Sequence, residues 1–226
     1  MKLIEYLKQI YQITPLCNKP KNDLPYLFLR HDVDVSLSAA LKMAKIEHEI
    51  GVKSTYFVLV SSRHYNSFDG KNSKIIKQIS ELGHELGLHY DVSQYGHRNE
   101  DIVNSLTIEV QALESILGKK ICSISSHAPR GPKSFLKVKG YLSADDPNLR
   151  DVYVHDSQKL WTIKSLSLLL DSHPKRVQLL IHPCHWMSSI KSKTRSDLVL
   201  LTILLLLYKV RTLFIRVVHS RESCDN

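Results

Sequence analysis

The chain has 226 residues, 43 % of them hydrophobic and 23 % charged, with 31 Lys+Arg against 22 Asp+Glu. That length buries a full single-domain core without metal or disulfide staples, and the balanced composition excludes collagen, coiled coil and whole-chain disorder. Of the formal net charge of +9, +4 falls within residues 191–226 and the rest is spread over the remaining 190. No block of five or six like charges occurs and no Lys/Arg run is interleaved with aromatics, so nucleic acid is not the expected partner. A solvated basic surface suits anionic glycans better. Cys17, Cys122, Cys184 and Cys224 lie far apart and form no C-x-x-C pair. The expectation is neither a disulfide framework nor a cysteine zinc site, in a reducing, cytoplasmic compartment.

In chain order, MKLIEYLKQIYQ reads as a short amphipathic helix, with Leu3, Tyr6, Leu7 and Ile10 at helical spacing. Its Glu5, Lys8 and Gln9 break any apolar run of signal-peptide type. After the polar loop CNKPKNDLP the chain alternates between strands and helices. YLFLR (26–30) and STYFVLV (54–60) read as strands, separated by a helix through Leu37, Ala40, Leu41 and Ala44 that closes near Gly51. Ile75, Ile79 and Leu82 mark a helix ending at Gly83, and HELGLH (84–89) a short strand. Ile102, Leu106, Val110, Leu113 and Leu117 mark a helix closed by Gly118; ICSISS (121–126), GYLSA (140–144) and VQLLIH (177–182) follow as strands. Such alternation predicts parallel β-structure with crossover helices. LVLLTILLLLY (198–208) is an eleven-residue apolar run, short of the roughly 20 residues a membrane span needs. A helix packed on the body is the first reading, and an interfacial helix in contact with a membrane the second.

Acid/base and metal-ligand residues follow one predicted strand after another: His31, Asp32 and Asp34; His89 and Asp91; His127; Asp145 and Asp146; His182 and His185. In parallel α/β folds the site lies outside the carboxyl ends of the strands, so five such ends mark one mouth. Asp32 and Asp34, two apart, point to the same side of an extended segment. So close a pair of anions repels unless a cation or a shared proton lies between them, or unless both cap backbone N–H groups of a turn. In GHELGLH the histidines are five apart, not four, and Gly83 and Gly87 weaken a helix. On a strand, His84 and His89 then face opposite sides, His89 as the ligand candidate and His84 as a structural hydrogen-bonding residue. His64, His97, His155, His173 and His219 read as surface histidines.

The segments LRHDVDVS, STYFVLV, GHELGLHYD, SSHAPRG and LLIHPCHW, in this order, resemble the polysaccharide deacetylase superfamily (NodB homology, carbohydrate esterase family 4) over roughly residues 24–190. They are most similar to its bacterial branch that opens on RHDVD. The resemblance implies a distorted (β/α) barrel with its site at the strand C-termini. It divides the chain into an N-terminal helix and loop (1–23), the barrel domain (24–190) and an apolar, basic C-terminal segment (191–226) that departs from the family, leaving the barrel's C-terminal closure open.

Carried over residue by residue, the resemblance makes Asp32 the general base, Asp34 and His89 metal ligands, and His182 the general acid. Where the family places a second histidine four residues after the first, this chain has Ser93. His127, at a place where many members carry a base-orienting arginine, is then the candidate third ligand. One carboxylate and two imidazoles with an open position suit Zn²⁺. Tyr90 and Trp186 are candidate walls of a substrate pocket, and Asp145 matches a variable motif. The implied activity is metal-dependent hydrolysis of an N- or O-acetyl group on a surface polysaccharide or its precursor, a hydrolase reaction on non-peptide C–N bonds. Two alternatives stand beside it: a catalytically impaired carbohydrate-binding relic of the same fold, and a Mg²⁺-dependent phosphatase of haloacid-dehalogenase type, which the D-x-D opening imitates.

Overall fold

In the computed structural model, residues 2–20, 23–95, 99–127, 138–157 and 174–187 are described. Strand β2 (Tyr26–Val33) lies at the centre of the sheet, because all eight of its residues are buried and only an interior strand covers both faces. It pairs in parallel with β3 (Thr55–Leu59) on one side and β8 (Arg176–Leu180) on the other. Beyond β3 come β4 (Glu85–Tyr90), β5 (Ser123–Ser126) and β6 (Leu142–Ser143); beyond β8 comes β7 (Val152–His155). Every described pairing is parallel, and β1 (Gln12–Thr14) joins the start of β2. The strands curl into a distorted, partly closed (β/α) barrel, as the alternation of strands and helices predicts.

Helices α1 (Lys2–Leu7), α2 (Leu37–Glu49), α3 (Gly70–Glu81) and α4 (Asn99–Leu117) accompany the sheet. Ser36 accepts from the Ala39 amide to start α2, and Asp69 accepts from the Lys71 and Asn72 amides to start α3. The expected closures hold at Gly51 and Gly118, where φ of +69° and +68° places the backbone in the left-handed region after α2 and α4. Among the described residues no helix is long and apolar enough to cross a membrane. The expected helix over 198–208 lies outside the described residues, as do His97, His173, His219 and Cys224.

Period-two alternation sorts β2 into two environments. Leu27, Leu29 and Val33 join Tyr56, Val58, Leu86, Leu88, Tyr90, Ile124, Val177 and Leu179 in the main core, with the buried faces of α1 to α4. Tyr26 and Phe28 point the other way and meet Leu16, Phe57 and Ala144 in a smaller cluster inside the barrel. His31 belongs to the outer face. Its Nδ1 donates to the Ile181 carbonyl (3.1 Å) and its Nε2 to Glu47 of α2 (2.7 Å). It is therefore no part of the strand-end cluster in which the sequence grouped it. Glu47 also accepts from Ser54 Oγ (2.7 Å) and Tyr56 Oη (2.9 Å), and His84 bonds Ser54 and the Ala44 carbonyl, the structural part expected for it.

Two further features depart from expectation. VYVH (152–155) forms β7 and PCHWM (183–187) a short helix α5, although neither segment is long enough for its periodicity to predict an element. Cys17 and Cys122, expected to be unpaired, form a disulfide across 105 residues of sequence. No local spacing signals it. The segment after β1 is carried to β3 and β4, where the Leu16 amide donates to Thr55 Oγ1 (2.9 Å) and the Cys17 amide to Glu85 Oε2 (2.8 Å), and Cys122 immediately precedes the adjacent β5.

Burial by itself would raise the Glu47 carboxyl, but the neighbouring His31 and the bonds from His31 and Ser54 outweigh it and hold the group below its ordinary range. With the folded-state pKa depressed, the stabilisation is present above the ordinary carboxylate range and is lost as pH falls through the folded-state value. Glu47→Ala strands His31, Ser54 and Tyr56 and is expected to cost about 3–5 kcal/mol in urea unfolding at neutral pH. Gly87→Ala is expected to cost about 1–3 kcal/mol by overpacking. Its Cβ would lie 2.5 Å from Phe57 Cε1 and 2.7 Å from Ser123 Oγ.

Candidate metal and acid–base site

Arg30 and Asp32 share the inner face of β2, two residues apart, and both are 3 % exposed. Arg30 grips Asp32 with two bonds, Nε to Oδ1 (3.2 Å) and Nη2 to Oδ2 (2.8 Å). The rest of the guanidinium is held by Ser125 Oγ of β5 (2.5 Å) and by Asp145 just past β6 (3.2 Å), while its face covers the Phe57 ring. Burial opposes ionisation of Asp32, yet Arg30 and then His89 overcome it and keep the carboxyl below the ordinary range. Asp32 thus stands as a fixed, ionised carboxylate.

Asp34 follows at the end of β2. Its Oδ1 lies 3.3 Å from His89 Nε2 and 3.5 Å from His127 Nδ1, and those two nitrogens are 3.2 Å apart. His89, in β4, donates from Nδ1 to the Ser125 carbonyl (3.0 Å), which turns Nε2 towards Asp34. His127 is set by its amide, which donates to the Tyr90 carbonyl (2.7 Å) as β5 ends beside β4. The two rings meet edge to face, 5.1 Å between centroids. Asp34 Oδ1 is buried without a hydrogen bond of its own. Burial disfavours its charge, but His127 and His89 pull the carboxyl far below the usual range, and Asp34 in turn raises His127. Three electron-pair donors therefore converge with too little positive charge among them.

This donor set fits a divalent ion. Tetrahedral zinc with bonds of about 2.0–2.2 Å holds its ligands about 3.3–3.6 Å apart; the two distances from Asp34, 3.3 and 3.5 Å, fall in that range, and the His89–His127 distance of 3.2 Å lies just below it. Ser93, at the place of the family's second histidine, lies off the cluster: its hydroxyl donates to Asp91 Oδ1 (2.6 Å). An open cleft of about 320 Å³ adjoins Asp34 and His127, walled by Leu59, Ser62, Arg63, His64, Asp91 and Gln94.

His182 enters from the other flank, because β8 pairs directly with β2. Its Nε2 lies 3.5 Å from Asp34 Oδ2. Its Nδ1 is bonded to Asp156 Oδ1 (2.5 Å), and its amide to Asp156 Oδ2 (2.9 Å). Asp156, at the end of β7, also accepts from Trp186 Nε1 (2.9 Å) and faces His185 Nδ1 (3.2 Å). Burial disfavours the His182 imidazolium, but Asp156, Asp32 and Asp34 outweigh that and raise its pKa to about 9.

Asp32, Asp34, His89, His127 and His182 are thus brought to one mouth. Of the candidate pocket residues, Trp186 is tied to Asp156, and Asp145 is engaged by Arg30 and by the Ser126 amide (2.7 Å). Tyr90 does not reach the mouth: it follows His89 on the strand, so its ring points into the core, fully buried. His155, read as a surface residue, is half-buried and stacks on Tyr153 (5.1 Å), whereas His64 is exposed on the cleft wall. Arg30, Ser125 and Asp156 were not singled out in the sequence. Arg30 carried a signal, the same period-two spacing that joined Asp32 to Asp34; Asp156 would have followed from reading the β-branched VYVH as a strand.

No family model matches the chain, and no curated protein matches it in sequence. Its fold does match solved structures. A mutant of a CE4 family pseudoenzyme from Bacillus anthracis, with restored enzymatic activity, superposes with a TM-score of 0.53 at 15 % identity, over 73 % of this chain and 58 % of that one. A mutant of the peptidoglycan deacetylase PdaC from Bacillus subtilis gives 0.51 at 14 %, covering 70 % and 75 %. The catalytic domain of peptidoglycan N-acetylglucosamine deacetylase from Eubacterium rectale gives 0.50 at 14 %, covering 72 % and 78 %. The chain has the fold of carbohydrate esterase family 4 and matches less than two thirds of the length of the pseudoenzyme.

Asp156→Asn removes the anion that stabilises the His182 imidazolium. In the metal-free protein, its pKa is expected to fall from about 9 towards the ordinary value of 6.5, followed by NMR titration of the imidazole protons.

Proposed function

We propose that this chain is a divalent-metal-dependent carbohydrate deacetylase, and that the convergence of Asp34, His89 and His127 between a fixed carboxylate and a fixed imidazole carries that reading. Asp34, His89 and His127 would hold the ion, most suitably Zn²⁺ for one carboxylate and two imidazoles. When bound, the ion supplies Lewis-acid activation of the acyl carbonyl and of water. Asp32, oriented by Arg30, accepts the proton of the attacking water. Arg30 keeps Asp32 ionised until that transfer and stays bonded to it, so the carboxyl holds its place when it takes the proton. His182 Nε2 faces the same mouth and protonates the departing sugar amine or alkoxide, while Asp156 holds Nδ1 and so fixes which nitrogen gives up the proton. The cleft beside Asp34 and His127 receives the sugar, and its Arg63 and Gln94 offer donors to glycan oxygens.

The deacetylases of similar fold act, by their names, on peptidoglycan, which supports an acetylated sugar as the substrate class. Nitrogen donors dominate the cluster, which disfavours the Mg²⁺ phosphatase alternative. The binding relic keeps one specific argument, the similarity to a pseudoenzyme. A cytoplasmic location loses its ground with the Cys17–Cys122 bridge, which is the chemistry of an oxidising compartment.

Calorimetric titration of the metal-stripped, oxidised chain with Zn²⁺ is expected to give binding that weakens at least about tenfold in Asp34→Ala, His89→Ala and His127→Ala. Acetate release from N-acetylglucosamine oligomers and acetylated xylan tests the activity. Asp32→Asn is expected to keep zinc and lose about 10²–10⁴-fold in turnover. Failure of the wild type to take zinc overturns the reading; zinc binding with no acetate released from any acetylated glycan leaves the relic.

A further inference from the structure

At the opposite end of β4 from His89 lies a second cluster that the acid–base mouth does not use. Cys17, Glu85 and Cys122 each place one ligand atom within 4.8 Å of the others. Glu85 and His89 stand on the same inner face of β4, four residues or about 13 Å apart along the strand. Gly87 and the Phe57 ring separate the two ends. Glu85 is half-buried and its partners are neutral: the Cys17 amide on Oε2 (2.8 Å) and the Ser123 hydroxyl on Oε1. Among the described residues no Lys, Arg or His forms an ion pair with it. A carboxylate so placed next to two sulfurs has the donor chemistry of a soft divalent ion.

We propose that reduction of the Cys17–Cys122 disulfide creates a second metal site, in which the two thiolates and the Glu85 carboxylate take one Zn²⁺. The electrons come from a dithiol: two pass to the disulfide, the S–S bond breaks, two protons complete the cysteine thiols, and the dithiol becomes a disulfide. Binding of Zn²⁺ then releases the two thiol protons and forms two Zn–S bonds. The backbone stays in place when the S–S bond opens. Leu16 is tied to Thr55, Cys17 to Glu85, and the Cys122 carbonyl accepts from the Leu142 amide (2.8 Å), so both sulfurs remain beside the carboxylate. Bonds of about 2.3 Å to sulfur and 2.0–2.2 Å to oxygen need only a small separation of the sulfurs. The clasp that joins the N-terminal segment to β5 is thereby kept under oxidising conditions as a disulfide and under reducing conditions as a zinc bridge. This inference is independent of the deacetylase reading.

The probe is Cd²⁺, whose thiolate complexes absorb in the ultraviolet, added to the full-length chain carrying His89→Ala to weaken the first cluster. After dithiothreitol reduction and desalting, the chain is expected to take up one more equivalent of Cd²⁺ than the oxidised form, with a thiolate charge-transfer band absent before reduction. Cys17→Ser is expected to lose the added equivalent and the band, and Glu85→Gln to lose the stoichiometric step while still forming the disulfide. In the reduced chain without these substitutions, Zn²⁺ is expected to slow alkylation of Cys17 and Cys122 but not of Cys184, read by peptide mass. Absence of the added equivalent on reduction, a band that survives Cys17→Ser, unchanged uptake in Glu85→Gln, or alkylation unaffected by Zn²⁺ would each overturn the proposal.

Discussion

Arg30 and Asp32 are removed from water together, on one face of one strand, and the rest of the mouth is arranged around that fact. Burying an isolated charge of either kind costs several kcal/mol after relaxation, and a pair is tolerated only when its remaining hydrogen-bonding capacity is met. Here Ser125 and Asp145 meet it for Arg30, and His89 approaches Asp32 from the far side at 3.7 Å. The consequence is an aspartate that is held in place, rests ionised, and faces the point where the imidazoles gather. A free surface Asp at the same place would not be so held.

The charge balance at the mouth follows from the same crowding. Asp32, Asp34 and Asp156 bring three carboxylates towards His89, His127 and His182, and Arg30 is already committed to Asp32 and Asp145. Without an ion the imidazoles take up that deficit, which is why His127 and His182 are both raised. The two histidines nevertheless differ. His182 is bonded through Nδ1 to Asp156, whereas His127 shares Asp34 with His89. Position relative to β2 separates the two: β4 and β5 bring His89 and His127 from one flank, and β8 brings His182 from the other.

Much of the fold was readable because each element satisfies a local rule. The helix over residues 37–49 shows its apolar stripe and its closing Gly51; the strands at 26–33 and 176–180 show as apolar runs. The short strands were harder. Gln12–Thr14 has three residues and no run to detect, and VYVH, though β-branched, has only four residues, with Tyr153 exposed and Val154 buried. Tyr90 illustrates a different failure: the alternation that sends His89 to the mouth necessarily sends its neighbour to the core.

Spacing along the backbone is enough to put Arg30, Asp32 and Asp34 on one side of an extended strand and to mark the strand ends that bear Asp or His, because both depend on chain geometry alone. Which of these residues meet depends on strand pairing. His127 becomes the neighbour of His89, and Asp156 of His182, because β4 pairs with β5 and β7 with β8. Cys17 finds Cys122 because a short turn after β1 crosses beneath β3 and β4. Strand order and register are fixed by packing between segments that lie tens of residues or more apart, and no local pattern of side chains encodes them.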